Sequence, residues 1–131
     1  DKDKKTVSVN SNVKNKEEIH YKTKFIPLEI TTLFDNFINN SEKSKATKLE
    51  ISFRISDENL LIFLFDNGKN YIPEENYSKI FELGFSTTDG SGIGLYQASE
   101  IVKKLKGDIS VQSIKNEGTT FQITLPYENR L

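Results

Sequence analysis

The chain has 131 residues, with 18 Lys and Arg against 19 Asp and Glu, a net charge of -1, and 35% hydrophobic residues. That length fits one domain with a proper core, and so even a charge balance argues against a protein that coats nucleic acid or an anionic membrane. With no Cys and a single His, disulfides, thiolate chemistry and multi-histidine metal centres are excluded.

The longest apolar run, Leu60 to Phe65, is of strand length, far short of the roughly 20 residues of a membrane span. No signal-peptide pattern opens the chain. The expected location is cytoplasmic, either free or as the cytoplasmic domain of a membrane-bound protein, with no membrane contact by this domain. There is no Met at all, including position 1. The expectation is a fragment of a longer protein, forming one domain over 1–131 with an ordered core over about 5–127.

Residues 1–24 are polar and Lys-rich, and Val7, Val9 and Val13 alternate with polar residues as in an edge strand. A second short strand is predicted over Ile19 to Thr23. Pro27 suits the first turn of a helix, and Ile30, Leu33, Phe34, Phe37 and Ile38 follow at helical spacing to about Lys43 or Lys45. Leu49 to Ile55 alternates as a half-buried strand, and Asp57-Glu58-Asn59 turns the chain. Leu60 to Phe65 is apolar at every position, which predicts a central strand buried on both faces.

Pro73-Glu74-Glu75 opens a short helix to about Phe81, and Glu82 to Gly92 is a loop of Gly, Ser, Thr and Asp. Gly94 to Leu105 is an amphipathic helix that Gly107 stops. Asp108 to Ser113 and Thr119 to Leu125 form a terminal hairpin around Asn116-Glu117-Gly118, and Pro126 ends it. Three helices and five or six strands in this order predict an α/β two-layer sandwich, a mixed sheet with helices on one face.

Four features carry chemistry. At about 100° per residue, Asn36, Asn40 and Lys43 share one stripe of the first helix. That stripe reads either as a solvated face or as a ligand face, whose amide oxygens and ammonium suit Mg²⁺ and phosphate. Asp66-Asn67-Gly68 ends the apolar strand. It is an ordinary turn string, yet an Asp there could accept from an exocyclic amine, and Gly68 lets a flat ligand approach. Gly90-Ser91-Gly92-Ile93-Gly94-Leu95 enters a helix, leaving N–H groups and a helix dipole suited to polyphosphate. It matches neither the dinucleotide fingerprint nor the P-loop. Gly118-Thr119-Thr120-Phe121 enters the last strand.

Order and spacing are more specific than any one of these. The series Asn36-x-x-x-Asn40-x-x-Lys43, Asp66-x-Gly68, Phe81-x-x-Gly84-Phe85-Ser86-Thr87, Gly90-x-Gly92-Ile93-Gly94-Leu95 and Gly118-Thr119-x-Phe121 resembles the N, G1, F, G2 and G3 boxes of one family. It is the ATP-binding catalytic domain of sensor histidine kinases, within the gyrase, heat-shock chaperone, histidine kinase and mismatch-repair (GHKL) ATPases. The resemblance covers about residues 28–126.

The resemblance implies the Bergerat fold, with ATP between the helices on one face of the sheet. It implies Asn40 as the Mg²⁺ ligand, with Asn36 and Lys43 at phosphate-contacting positions. Asp66 would bind the adenine amine, and Thr119 or Thr120 would reach the adenine side. Gly90, Ser91, Gly92, Ile93, Gly94 and Leu95 would wrap the phosphates, and Gly68, Ile72, Phe85 and Ser86 complete the nucleotide-binding set. Glu82 to Ser91 would be the ATP lid.

Hydrolysing and serine-phosphorylating branches of the superfamily carry a Glu general base where this chain has Asn36. An amide takes no proton at neutral pH, whereas a neutral imidazole already offers a lone pair. The implied reaction is therefore transfer of the γ-phosphoryl of Mg-ATP to a His on a separate dimerisation domain, with a response regulator as a further partner. The alternatives are a GHKL ATPase or a nucleotide-sensing switch without phosphotransfer. The only His, His20, reads as an ordinary surface residue rather than the phosphoacceptor, and this chain alone is expected to be monomeric.

Three positions depart from the family pattern. Asn70 replaces a Gly and is expected to keep positive φ. Tyr71 is one residue extra before Ile72-Pro73, leaving open which of Tyr71 and Ile72 faces the base. Thr88 stands where a lid Lys is common.

Overall fold

Chain elements follow the apolar periodicity closely. The computed structural model describes residues 6–11, 27–85 and 93–126, with side chains over 31–85 and 93–126. Strand β1 (Thr6–Ser11) precedes helix α1 (Pro27–Lys43), then β2 (Lys48–Ser56) and β3 (Asn59–Asp66) form a hairpin. A 3-10 turn (Glu74–Asn76), helix α2 (Gly94–Lys104) and the hairpin of β4 (Asp108–Ile114) and β5 (Gly118–Pro126) complete the order. Val13, the strand predicted over Ile19 to Thr23, and His20 lie outside the described residues.

The five strands form one sheet in the order β1-β2-β3-β5-β4. Strand β1 lies at the edge, parallel to β2, and every other pairing is antiparallel. Register aligns the inward side chains in rows across the sheet. Ile51, Leu64, Phe121 and Val111 form one row, and Phe53, Ile62, Ile123 and Ile109 the next. Leu33 and Phe37 of α1, with Ala98, Ile101 and Val102 of α2, close the core over this face. Phe121 is central, its ring 5.0 Å from Phe37 and 6.3 Å from Phe81. The two-layer α/β reading holds.

Side chains on β3 alternate between buried and half-buried, with Leu60, Ile62 and Leu64 in the core and Leu61, Phe63 and Phe65 on the other face. Burial on both faces is thus corrected. Antiparallel neighbours need no crossover helix, so such a sheet can leave one face open.

Both helices end in the same way. Lys45 N–H donates to Glu42 C=O and Ala46 N–H to Ser41 C=O, with Lys45 at φ 61°. Lys106 N–H donates to Lys103 C=O and Gly107 N–H to Val102 C=O, with Lys106 at φ 63°. These are Schellman motifs with Lys in the left-handed position usually given to Gly. Lys106, rather than Gly107, therefore turns the chain out of α2. Gly107 is required by space, since a Cβ there would overlap the carbonyl oxygen of Thr124.

The helix predicted from Pro73 to Phe81 is only a 3-10 turn followed by successive hydrogen-bonded turns. Asn76 C=O accepts from both Lys79 and Ile80, and further bonds join Glu82 to Lys79 and Phe85 to Glu82. This mixing of three- and four-residue closures prevents a regular helix. Asn70 does not take positive φ, contrary to expectation.

Candidate functional site

One row of the inner face is polar where the others are apolar. It comprises Asp66 at the end of β3, Thr119 at the start of β5 and Ser113 near the end of β4, beside Leu49 of β2. All three polar residues are buried, Asp66 to 5% exposure. Burying a carboxylate in this way needs hydrogen-bond partners. Gly68 N–H donates to Asp66 Oδ1 at 2.8 Å. Ser44 Oγ stands 3.4 Å from the same oxygen, with the carbonyl of Ser41 closer, at 3.0 Å.

Glycines on both sides make room for this arrangement. A Cβ on Gly68 would overlap Ser44 Oγ and come within 2.7 Å of Asp66 Oδ1. Gly68 is absent from the positive-φ residues, so space rather than backbone freedom requires it. Gly118, at φ 145°, brings β5 so close that a Cβ would overlap the backbone oxygen of Asp66.

The turn after β3 is tied to the end of α1. Asn67 Oδ1 accepts the N–H groups of Thr47 and Lys48, both at 2.9 Å, and its Nδ2 donates to Thr47 Oγ1 at 3.0 Å. Lys69 N–H donates to Ser44 C=O at 2.8 Å. Farther on, Ile72 is 6% exposed and Tyr71 is 44% exposed, so Ile72 is the one that faces inward. Ile72 N–H donates to Ser113 Oγ at 3.0 Å. Ser113 Oγ in turn lies 2.9 Å from Thr119 Oγ1.

Above this floor runs the polar stripe of α1. Asn36 and Asn40 are half-buried and Lys43 is exposed in the last turn. Asn36 Nδ2 lies 3.4 Å from Gln97 Oε1 of α2, and a Cβ on Gly94 would stand 3.6 Å from Asn36 Oδ1. Asn36 thus borders the N-terminal turn of α2, where N–H groups lack partners within the helix. Ile93 is exposed just before that turn, and Leu95 packs against the core. Phe85 also packs against the core, beyond Gly84 at φ 87°.

Not every predicted site residue joins this group. Ser86, Gly90, Ser91 and Gly92, with Thr88, lie outside the described residues. Thr120 follows Thr119 along β5 and pairs with Phe65, so it belongs to the opposite face. The choice between the two threonines falls on Thr119. Sequence reading missed Ser44, Asn67, Tyr77, Gln97 and Ser113. Ser44 carried a usable signal, because it continues the Asn36 and Asn40 spacing by one more turn.

Taken together, a buried acceptor sits beside a hydroxyl pair on the floor, with amide oxygens and an ammonium along the wall. Such a set can bind a base carrying an exocyclic amine and a polyanion extending from it. At Asn36 it offers no proton acceptor.

The chain is similar to proteins of one family in sequence and in fold. The family described as "Histidine kinase-, DNA gyrase B-, and HSP90-like ATPase" matches residues 26–129. A probable C4-dicarboxylate sensor kinase of Halalkalibacterium halodurans is 40% identical over 101 residues, covering 74% of this chain and 19% of that protein. The chain thus spans about a fifth of that relative's length. The mycobacterial sensor histidine kinase MprB superposes with a TM-score of 0.76 at 20% identity, covering 93% of this chain and 81% of the other. Full-length ShkA in complex with AMPPNP superposes with a TM-score of 0.72 at 18% identity, covering 95% of this chain and 26% of that one. Among the described residues no helix is long and apolar enough to cross a membrane. The chain belongs to the histidine kinase-, DNA gyrase B- and HSP90-like ATPase family, as an ATP-binding catalytic domain of the sensor histidine kinase type.

Proposed function

We propose that this domain binds Mg-ATP over the Asp66 row and presents the γ-phosphoryl to a histidine on a separate dimerisation domain. The observation that carries the reading is the buried Asp66 carboxylate, held by Gly68 N–H at 2.8 Å at the polar end of an otherwise apolar sheet face. In this reading Asp66 accepts from the exocyclic amine of adenine, and Ile72 and Thr119 line the base. Lys43 and Asn36 contact phosphate oxygens, as do Ile93 and the first residues of α2. The segment 86–92 would complete the phosphate wrap.

The donor set suits magnesium. Asn40 offers a neutral amide oxygen on a half-buried helix face, and Mg²⁺ takes hard oxygen ligands, shared with substrate phosphates. Asn40 would hold the cation, whose contribution there would be charge neutralisation at the transferring phosphoryl group. The chain's own contribution is positioning. Asn36 orients rather than deprotonates, because neither it nor Gln97 accepts a proton at neutral pH. An attacking imidazole needs no general base, and this favours histidine transfer over hydrolysis. The response regulator would then receive the phosphoryl group from that histidine.

The test supplies the chain with γ-labelled Mg-ATP, with and without the histidine-bearing domain of its parent protein. Acid-labile, base-stable label on that domain is expected, with negligible phosphate release from the chain alone. Steady hydrolysis without transfer would instead establish an ATPase switch.

A further inference from the structure

The nucleotide reading assigns no role to Ser113 or Tyr77, yet these two residues make the densest side-chain network next to Asp66. Ser113 Oγ accepts Ile72 N–H at 3.0 Å and meets Thr119 Oγ1 at 2.9 Å. Ser113 N–H donates to the Tyr77 hydroxyl at 2.8 Å, and that hydroxyl lies 3.3 Å from Ser113 C=O, to which it donates. Strand β4 is at the sheet edge. Its outward N–H and C=O are the groups that another strand would normally pair. At Ser113 the Tyr77 side chain takes both.

Ser113 is therefore fixed through both its backbone and its side chain, and the loop from Ile72 to Tyr77 is joined to the β4–β5 hairpin as one wall. Proton counting leaves this wall with one spare donor. The two hydroxyls of Ser113 and Thr119 carry two protons, and their mutual contact uses one of them. The Ile72 bond uses only a lone pair. Among the described residues one hydroxyl proton stays uncommitted, in the row that holds the Asp66 carboxylate. A donor beside an acceptor matches the edge of adenine, whose amine donates and whose neighbouring ring nitrogen accepts. Guanine presents the reverse pattern.

Resting on the nucleotide reading above, we propose that Ser113, fixed by Tyr77, is a positioning residue that orients the Thr119 hydroxyl and thereby sets the preference for adenine over guanine. Neither Ser113 nor Tyr77 has to touch the ligand for this.

The test measures dissociation constants of Mg-ATP and Mg-GTP by calorimetry for the wild type, Ser113→Ala, Ser113→Thr and Tyr77→Phe. Loss of one oriented hydrogen bond predicts about a tenfold weaker Mg-ATP complex for Ser113→Ala, with Mg-GTP little changed. Tyr77→Phe should move the ratio the same way by a few-fold, and Ser113→Thr, which keeps the hydroxyl, should restore it. A ratio equal to wild type in Tyr77→Phe and folded Ser113→Ala overturns the proposal, as does equal weakening of both nucleotides. If Ser113→Ala does not fold, Tyr77→Phe alone decides. A wild type that binds neither nucleotide overturns the nucleotide reading itself, a distinct failure.

Discussion

Ser44 and Gly68 occupy a space that admits no further carbon: a Cβ on Gly68 would overlap Ser44 Oγ and lie 2.6 Å from Ser44 Cβ. The end of α1 and the turn after β3 meet at this point, and the Asp66 carboxylate is held between them. The geometry of the candidate base site thus depends on one close approach between residues 44 and 68.

Gly68→Ala is accordingly expected to destabilise the domain by about 1–3 kcal/mol, the usual cost of overpacking. Ser44→Gly in the same chain should recover part of the loss, because it removes both clashing Ser44 atoms. Urea unfolding of the two single variants and the double variant checks this as a cycle, with non-additivity of about 1 kcal/mol expected for residues in contact. Additive effects would mean that the two positions do not share this space.

Asn67 ties the same turn to the start of β2 with three side-chain hydrogen bonds. Because the site is exposed, the orphaned amides of Asn67→Ala can turn to water, and a loss of about 1 kcal/mol is expected. Asn67→Asp keeps both acceptor bonds and loses only the donor to Thr47, so its loss should be smaller. Equilibrium denaturation ranks the two, and an equal loss would contradict the bond-by-bond account.

Lys106 ends α2 at φ 63°, a conformation that costs a side-chain-bearing residue roughly 1–2 kcal/mol. After its greater unfolded-state entropy is subtracted, Lys106→Gly should still stabilise the domain, by about 0.5–1 kcal/mol. Thermal denaturation should show a rise of about 2–4 °C. A fall would indicate that the Lys106 side chain contributes more than the strain it imposes.

Legibility in the sequence followed the range of the interactions. Leu49 to Ile55 and the terminal hairpin alternate strictly, and their strands match the prediction within about a residue. The stripe of Asn36, Asn40 and Lys43 was legible because one helix carries it. Leu60 to Phe65 was misread because an unbroken apolar run does not show that one of its faces stays only half-buried. Ser113 was missed because its partners Ile72 and Tyr77 lie 41 and 36 positions away, so nothing in the local string marks them. Asn70 was misread through its place in a motif, when the backbone there needs no left-handed turn. The family boxes pointed to the α1 stripe as a candidate wall; the hydroxyl network beside it required the fold.

The central claim is that the Asp66 row and the α1 stripe form one Mg-ATP site. The most direct measurement is Mg-ATP calorimetry on the chain, on Asp66→Asn and on Asn40→Ala, with ligand-free melting temperatures recorded in parallel. Asp66→Asn retains an acceptor for Gly68 N–H, so the fold should persist while affinity falls at least about tenfold. Asn40→Ala should lose affinity similarly, and only when magnesium is present. Wild-type affinity in both folded variants would contradict the account.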